Sequence, residues 1–214
     1  MEKIDKFYEK INGSYLIFTG IGLSLLVILI AVILFIQVDP TFNMYSKFIS
    51  DLGDGPNNSN IVFNTGIIIS GIFNFFIYIY LTRFLQKKQG NEKLILLAFI
   101  SAIISVIGTI MVGLFTSDTE NTLHRTGAAM SFFGSFFLII FFGIAEYKIS
   151  DIPNKYSVPG FILAPISIVF LVFFLLLILN TGFSSEITIF TEWLAFFANT
   201  TWLFIQGIYT LREK

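Results

Sequence analysis

The sequence predicts an all-α fold: a polytopic membrane bundle of six transmembrane helices, one domain over residues 1–214, with both termini in the cytoplasm. Three observations predict it. Charged residues make up 13% of the 214, against roughly 25% in an average soluble domain. Apolar types reach 55%, with 27 Phe, and the mean hydropathy is +0.82. Six stretches reach the ~20 apolar residues that a helix needs to cross a hydrocarbon core. Even a large soluble domain buries only about 75% of its chain's surface, so a soluble globular enzyme is excluded. Disorder is excluded too, because it needs high charge and low hydrophobicity. A net charge of −1 lacks the basic footprint of a nucleic-acid binder. With no Cys in the chain, disulfides, thiolate nucleophiles and Cys-ligated metals are excluded.

The elements follow in chain order. Ile4, Phe7, Tyr8 and Ile11 recur at helical spacing among Glu and Lys, the pattern of a short interfacial helix. The first span, 15–37, carries no charge. It is longer than a signal-peptide core and no small-x-small cleavage site follows it. The second span is 59–84, the third 94–115, the fourth 123–147, the fifth 156–180 and the sixth 189–211. The run 25–35 is apolar all round, which excludes the alternation of a β-barrel strand. Ser101, Ser105, Thr109 and Gly113 stand four apart on the third span, with Gly127, Ser131 and Ser135 on the fourth. Such ridges let helices approach closely. Pro159 and Pro165 should kink the fifth span. Lys and Arg set the orientation. Lys3, Lys6 and Lys10, the connection with Arg83, Lys87, Lys88 and Lys93, Lys148 with Lys155, and Arg212 with Lys214 share one side; only Lys47 and Arg125 face the other. The positive-inside rule puts the first side in the cytoplasm of a cell-membrane protein.

Ionisable groups near membrane depth read as functional by default, and they gather on the second side. The long first connection holds Asp39, Asp51 and Asp54; Asp118, Glu120, His124 and Arg125 open the fourth span; Glu192 opens the sixth. Ser117 and Glu120 fit a capping box. On that helix Glu120 and His124 share a face. Glu192, Asn199 and Gln206, spaced by seven, share a face of the last span. Asn64 lies close to the same membrane boundary.

Two segments go beyond composition. Ile49-Ser50-Asp51-Leu52-Gly53 precedes Phe63-Asn64-Thr65-Gly66, and Gly113-Leu114-Phe115-Thr116-Ser117-Asp118 precedes His124-Arg125-Thr126-Gly127-Ala128. Together they resemble the prokaryotic membrane family called domain of unknown function 998, over essentially all six spans. Thr116 stands where that family often has Pro. A more distant likeness is to the eukaryotic Frag/DRAM/Sfk family, which includes GPI-anchor lipid-remodelling factors and autophagy modulators. It is carried here by Ser50-Asp51, Gly53, His124 and Glu192-Trp193.

That likeness implies a lipid-handling membrane protein whose partners are membrane lipids, with a polar site at the extracytoplasmic face. It extends to a lipid-modifying enzyme, a hydrolase or an acyl or head-group transferase. His124 would be the general base, with Asp118, Asp51 and Glu192 as the carboxylates of the catalytic set. Arg125, Asn64 and Ser50 would bind substrate, Arg125 an anionic headgroup and Ser50 as the nearest nucleophile. Two alternatives stay open: a non-enzymatic lipid-binding, scaffold or small permease protein, and a divalent-metal protein with Asp51, Asp118, His124 and Glu192 as ligands. Carboxylates beside lipid are costly unless partnered. At least three of those four residues are therefore expected to face one outward-opening cavity, roofed by the loop turn at 53–56.

Overall fold

A computed structural model describes residues 2–213; Met1 and Lys214, the ends of the expected domain, lie outside the described residues. The described residues form seven α-helices and one short 3-10 helix, with no strand among them. These are α1 (Glu2–Lys10), α2 (Gly13–Ile36), the 3-10 helix Ser50–Asp54, α3 (Ser59–Lys87), α4 (Glu92–Leu114), α5 (Ser117–Tyr147), α6 (Asn154–Ile178) and α7 (Ser185–Arg212). Five of them, α2 to α6, are long and apolar enough to cross a membrane.

Side chains that release the helix from the chain before it mark several starts. Asn12 accepts from Ser14 N–H, Asn91 from Lys93 and Leu94 N–H, and Ser184 from Ile187 N–H. Each satisfies donors that the first turn leaves orphaned. Four of the five connections between α2 and α7 are short, so consecutive helices run antiparallel; residues 37–58 are the exception. Each helix from α2 onward packs on the next, and α7 closes back on α2. The result is a six-membered ring. Large apolar side chains also cover its outside, Ile162 at 68% exposed and Leu29 at 56% among them. Water would not tolerate that surface, whereas lipid is the solvent it fits.

The α4–α5 seam is the closest in the ring. Ser105 Oγ lies 2.9 Å from Ser135 Oγ, and Thr109 Oγ1 lies 2.9 Å from Ser131 Oγ. A Cβ on Gly134 would sit 2.5 Å from the Ser105 backbone nitrogen, so only glycine allows this approach. α6 runs through Pro159 and Pro165 as one helix, with Pro153 at its N-cap. In α5 the backbone leaves helical geometry at Glu120 (φ −147°, ψ 67°).

The two ends of the ring differ. At the termini end, Arg83 binds Asp5 at 2.8 Å and Tyr8 OH donates to Phe76 O at 2.6 Å, which ties α1 along α3. Ile4, Phe7 and Ile11 stay exposed. At the other, loop end, residues 37–58 fold over the helix ends.

Candidate functional site

The loop end is built around a carboxylate. Glu192, two turns into α7, is 4% exposed. Its Oε2 accepts Ile49 N–H at 2.6 Å, and its Oε1 accepts the Ser50 hydroxyl at 3.4 Å. Ile49 is the N-cap of the 3-10 helix, so Glu192 satisfies the donors at its start. The neighbouring Trp193 donates from Nε1 to Lys47 O at 3.0 Å. The acidic–aromatic pair of the last helix therefore clamps the first connection.

The rest of the loop is pinned in the same way. Asp51 Oδ2 accepts Phe48 N–H at 2.9 Å, closing the turn on itself. Asn64 Nδ2 donates to Gly53 O at 2.9 Å. A Cβ on Gly53 would lie 2.6 Å from Asn64 Oδ1, which explains why glycine stands there. Asp54 Oδ2 accepts both Ser117 N–H at 3.1 Å and Ser117 Oγ at 2.6 Å. Burial pushes the Asp51 carboxyl above its ordinary range; the Phe48 N–H, Lys47 and His124 pull the other way.

His124 faces this loop from α5 and is 5% exposed. Its Nδ1 lies 2.8 Å from Phe115 O. A carbonyl oxygen can only accept, so Nδ1 carries a proton, and in the neutral ring the lone pair is on Nε2. That is the tautomer and orientation a general base needs.

Ser50, Asp51, His124, Arg125 and Glu192 line one pocket of about 200 Å³, together with Asn121, Phe48, Phe170 and Phe174. Beside it, a larger groove of about 510 Å³ runs down the outside between α4, α5 and α6. Its walls are Ile104, Thr126, Ala129, Met130, Phe133, Leu171, Leu175 and Ile178. Arg125 and Phe174 line both spaces.

Three of the four carboxylate and imidazole residues expected to converge do so: Asp51, His124 and Glu192. Asp118 does not. The helix is capped by Thr116 with Thr119, each hydroxyl reaching the other's backbone, rather than by Ser117 with Glu120. Ser117 is held by Asp54 instead, and Asp118 and Glu120 are left exposed on the first turn. Glu120, at the backbone break, is exposed while His124 is buried, and the orienting partner of His124 is the Phe115 carbonyl. Asn64 lies under the loop, not in the pocket, and the roof is formed by Phe48, Ser50 and Asp51 rather than by the turn at 53–56.

The metal alternative finds little in this geometry. Among the described residues no group of three or more His, Asp or Glu is placed to hold an ion. The donor atoms are also engaged: Glu192 with Ile49 and Ser50, Asp51 with Phe48, and His124 Nδ1 with Phe115. Sequence reasoning missed Ser117, Asn121, Phe170 and Phe174. Only Ser117 carried a local signal, and it pointed to the wrong partner.

The family described as "Protein of unknown function (DUF998)" matches residues 20–209. No curated protein and no solved structure matches the chain.

Proposed function

The chain belongs to the family described as "Protein of unknown function (DUF998)", and with five helices long and apolar enough to cross a membrane we propose that it binds a membrane lipid at its loop end. The headgroup occupies the polar pocket and an acyl chain lies in the adjoining groove. One observation carries this reading: Arg125 and Phe174 belong to both spaces. A lipid is charged at one end and apolar at the other, and here a guanidinium stands where the two meet. A planar fork of N–H donors suits a phosphate, and Phe133, Leu171 and Leu175 suit a chain. Of the residues that carry the Frag/DRAM/Sfk likeness, Ser50-Asp51, Gly53, His124 and Glu192-Trp193, four line this pocket, Ser50, Asp51, His124 and Glu192, which supports this reading.

In this proposal α7 is the sixth span. Its 28 residues reach about 42 Å at 1.5 Å per residue. Its polar residues Glu192 and Gln206 are buried inside the ring, so they do not meet lipid. The Lys and Arg at the termini end put that end in the cytoplasm and the pocket at the extracytoplasmic face of the cell membrane.

The test is mass spectrometry of lipids retained by the protein purified in mild detergent. Wild type is expected to retain phospholipid near one per chain, and Arg125→Ala about tenfold less. Equal retention in the two would overturn the reading.

A second reading, a lipid-modifying enzyme, is favoured by one further observation: the Phe115 carbonyl fixes His124 with Nε2 free to take a proton. General-base help is worth about 10²–10⁴ in rate. His124→Ala should then lose at least a hundredfold in turnover of the retained lipid while still binding it. A loss below about threefold leaves the protein a lipid binder without catalysis.

A further inference from the structure

The middle of the ring holds a second cavity, of about 130 Å³. It is distinct from the apolar groove. It meets the loop-end pocket at Ser50, Ala128 and Glu192, which line both.

One wall of this cavity is a ladder on α3. Ser70, Asn74 and Tyr78 stand four residues apart and all three line the cavity. Spacing of four puts them on one face, about 6 Å from rung to rung. Ser70 is 2% exposed and its hydroxyl has no hydrogen-bond partner. Among the described residues, the side chains of Asn74 and Tyr78 make no hydrogen bond to another group of the protein. The hydroxyls opposite are already paired, Ser105 with Ser135 and Thr109 with Ser131. Buried polar groups are nearly always satisfied in folded proteins, so the unpaired Ser70 hydroxyl asks for a partner, and Asn74 and Tyr78 present further unpaired polar groups to the same cavity.

The chemistry of the occupant follows from the lining. No Lys, Arg or His faces the cavity, so an anion would find no counter-charge. Its one carboxylate, Glu192, is held by Ile49 and Ser50, which leaves it poorly placed to hold a cation. Two hydroxyls and an amide offer donors and acceptors together, and a hydroxyl-bearing ligand answers both. Size sets the rest: an apolar cavity of about 150 Å³ admits benzene, with its six heavy atoms. Glycerol has the same number.

The geometry points to this central cavity as a binding site for a small uncharged polyol of about glycerol's size, held by Ser70, Asn74 and Tyr78 and reached from the loop end past Ser50 and Glu192. The polyol is free in solution or is the glycerol headgroup of a phospholipid. The inference does not depend on a lipid at Arg125.

Saturation-transfer NMR with glycerol on the full chain, stripped of phospholipid in detergent, is the test. Saturable transfer in the millimolar range is expected. Tyr78→Phe, which keeps the ring and removes one hydroxyl, should weaken it at least threefold. Asn74→Leu, which fills the cavity, should abolish it. Sodium phosphate should not compete. A second arm places the protein in nanodiscs of phosphatidylglycerol or of phosphatidylethanolamine. Loss of the glycerol signal only in the former assigns the site to the lipid headgroup; equal signals assign it to free polyol. No saturable transfer to folded wild type, or transfer untouched by both Tyr78→Phe and Asn74→Leu, overturns the inference.

Discussion

Glu192 and Glu146 are both buried carboxylates on the inside of the ring, one toward each end, and their partners could hardly differ more. Glu192 accepts the backbone N–H of Ile49 and the Ser50 hydroxyl, both from a loop more than a hundred residues away. Glu146, wholly buried on α5, accepts one bond from Gln206 Nε2 at 3.2 Å, and its Oε1 has no partner. The first holds a loop segment, residues 37–58, whose Phe42, Ile49 and Leu52 pack on the helix ends. The second joins two helices that already pack through their apolar faces. Burial alone therefore says little about what a carboxylate does; whether it holds a loop or a packed helix says more. A carboxyl that holds a loop is expensive to lose, while one that bridges two packed helices is close to replaceable by a neutral amide.

The largest expected effect is on Glu192. Glu192→Ala leaves the Ile49 N–H buried without an acceptor, and a buried donor left unsatisfied costs about 1–3 kcal/mol. Unfolding should show a loss of that order, and limited proteolysis should cut residues 41–55 that resist in wild type. Glu192→Gln, which keeps an acceptor for Ile49, should recover much of it.

Next comes the other half of the clamp. Trp193→Phe keeps an aromatic ring against Phe42 but loses the Nε1–Lys47 bond, a cost of about 1 kcal/mol. It too should raise cleavage in the loop. A cost without any change in the loop would mean that Trp193 acts through packing alone.

Glu146→Gln should change stability by less than about 0.5 kcal/mol, within the range of a substitution that keeps shape and hydrogen bonding. A cost matching that of Glu192→Ala would erase the contrast between the two ends.

The smallest effect concerns Asp51, whose carboxyl burial pushes up. With its folded pKa above the unfolded one, the protonated form favours folding, so this contribution is present in acid and is lost as pH rises through the folded value. Asp51→Asn keeps an oxygen for the Phe48 N–H and cannot ionise. It should leave stability unchanged or slightly raised at pH 7 and flatten its rise between pH 7 and pH 4. A thermal-unfolding series over that range reads both.

What was legible in the sequence divides along the same line. Helices advertise themselves by period and length, and the spans read as 15–37 and 94–115 became Gly13–Ile36 and Glu92–Leu114. The α4–α5 seam was equally open to reading, because Ser105, Thr109, Ser131 and Ser135 follow a local spacing rule. The start of α5 was misread for the opposite reason. Ser117 looks like a cap beside Asp118 and Glu120, but its hydroxyl is taken by Asp54, 63 residues earlier, so the cap falls on Thr116. Asp118 then turns to the surface and leaves the site. The pocket itself was half visible. Asp51, His124 and Glu192 stood out as ionisable groups near the boundary, while Phe170 and Phe174 had no mark among 27 Phe. Their contribution depends on which face α6 turns inward, and that is fixed by packing rather than by spacing.

The most direct measurement of the central claim is a structure of the protein in lipid nanodiscs. A phospholipid is expected with its phosphate in hydrogen-bond reach of Arg125, its headgroup against His124 and Asp51, and one chain along Phe133, Leu171 and Leu175. A pocket free of lipid, or a chain in the groove with its headgroup turned away from Arg125, would contradict the account.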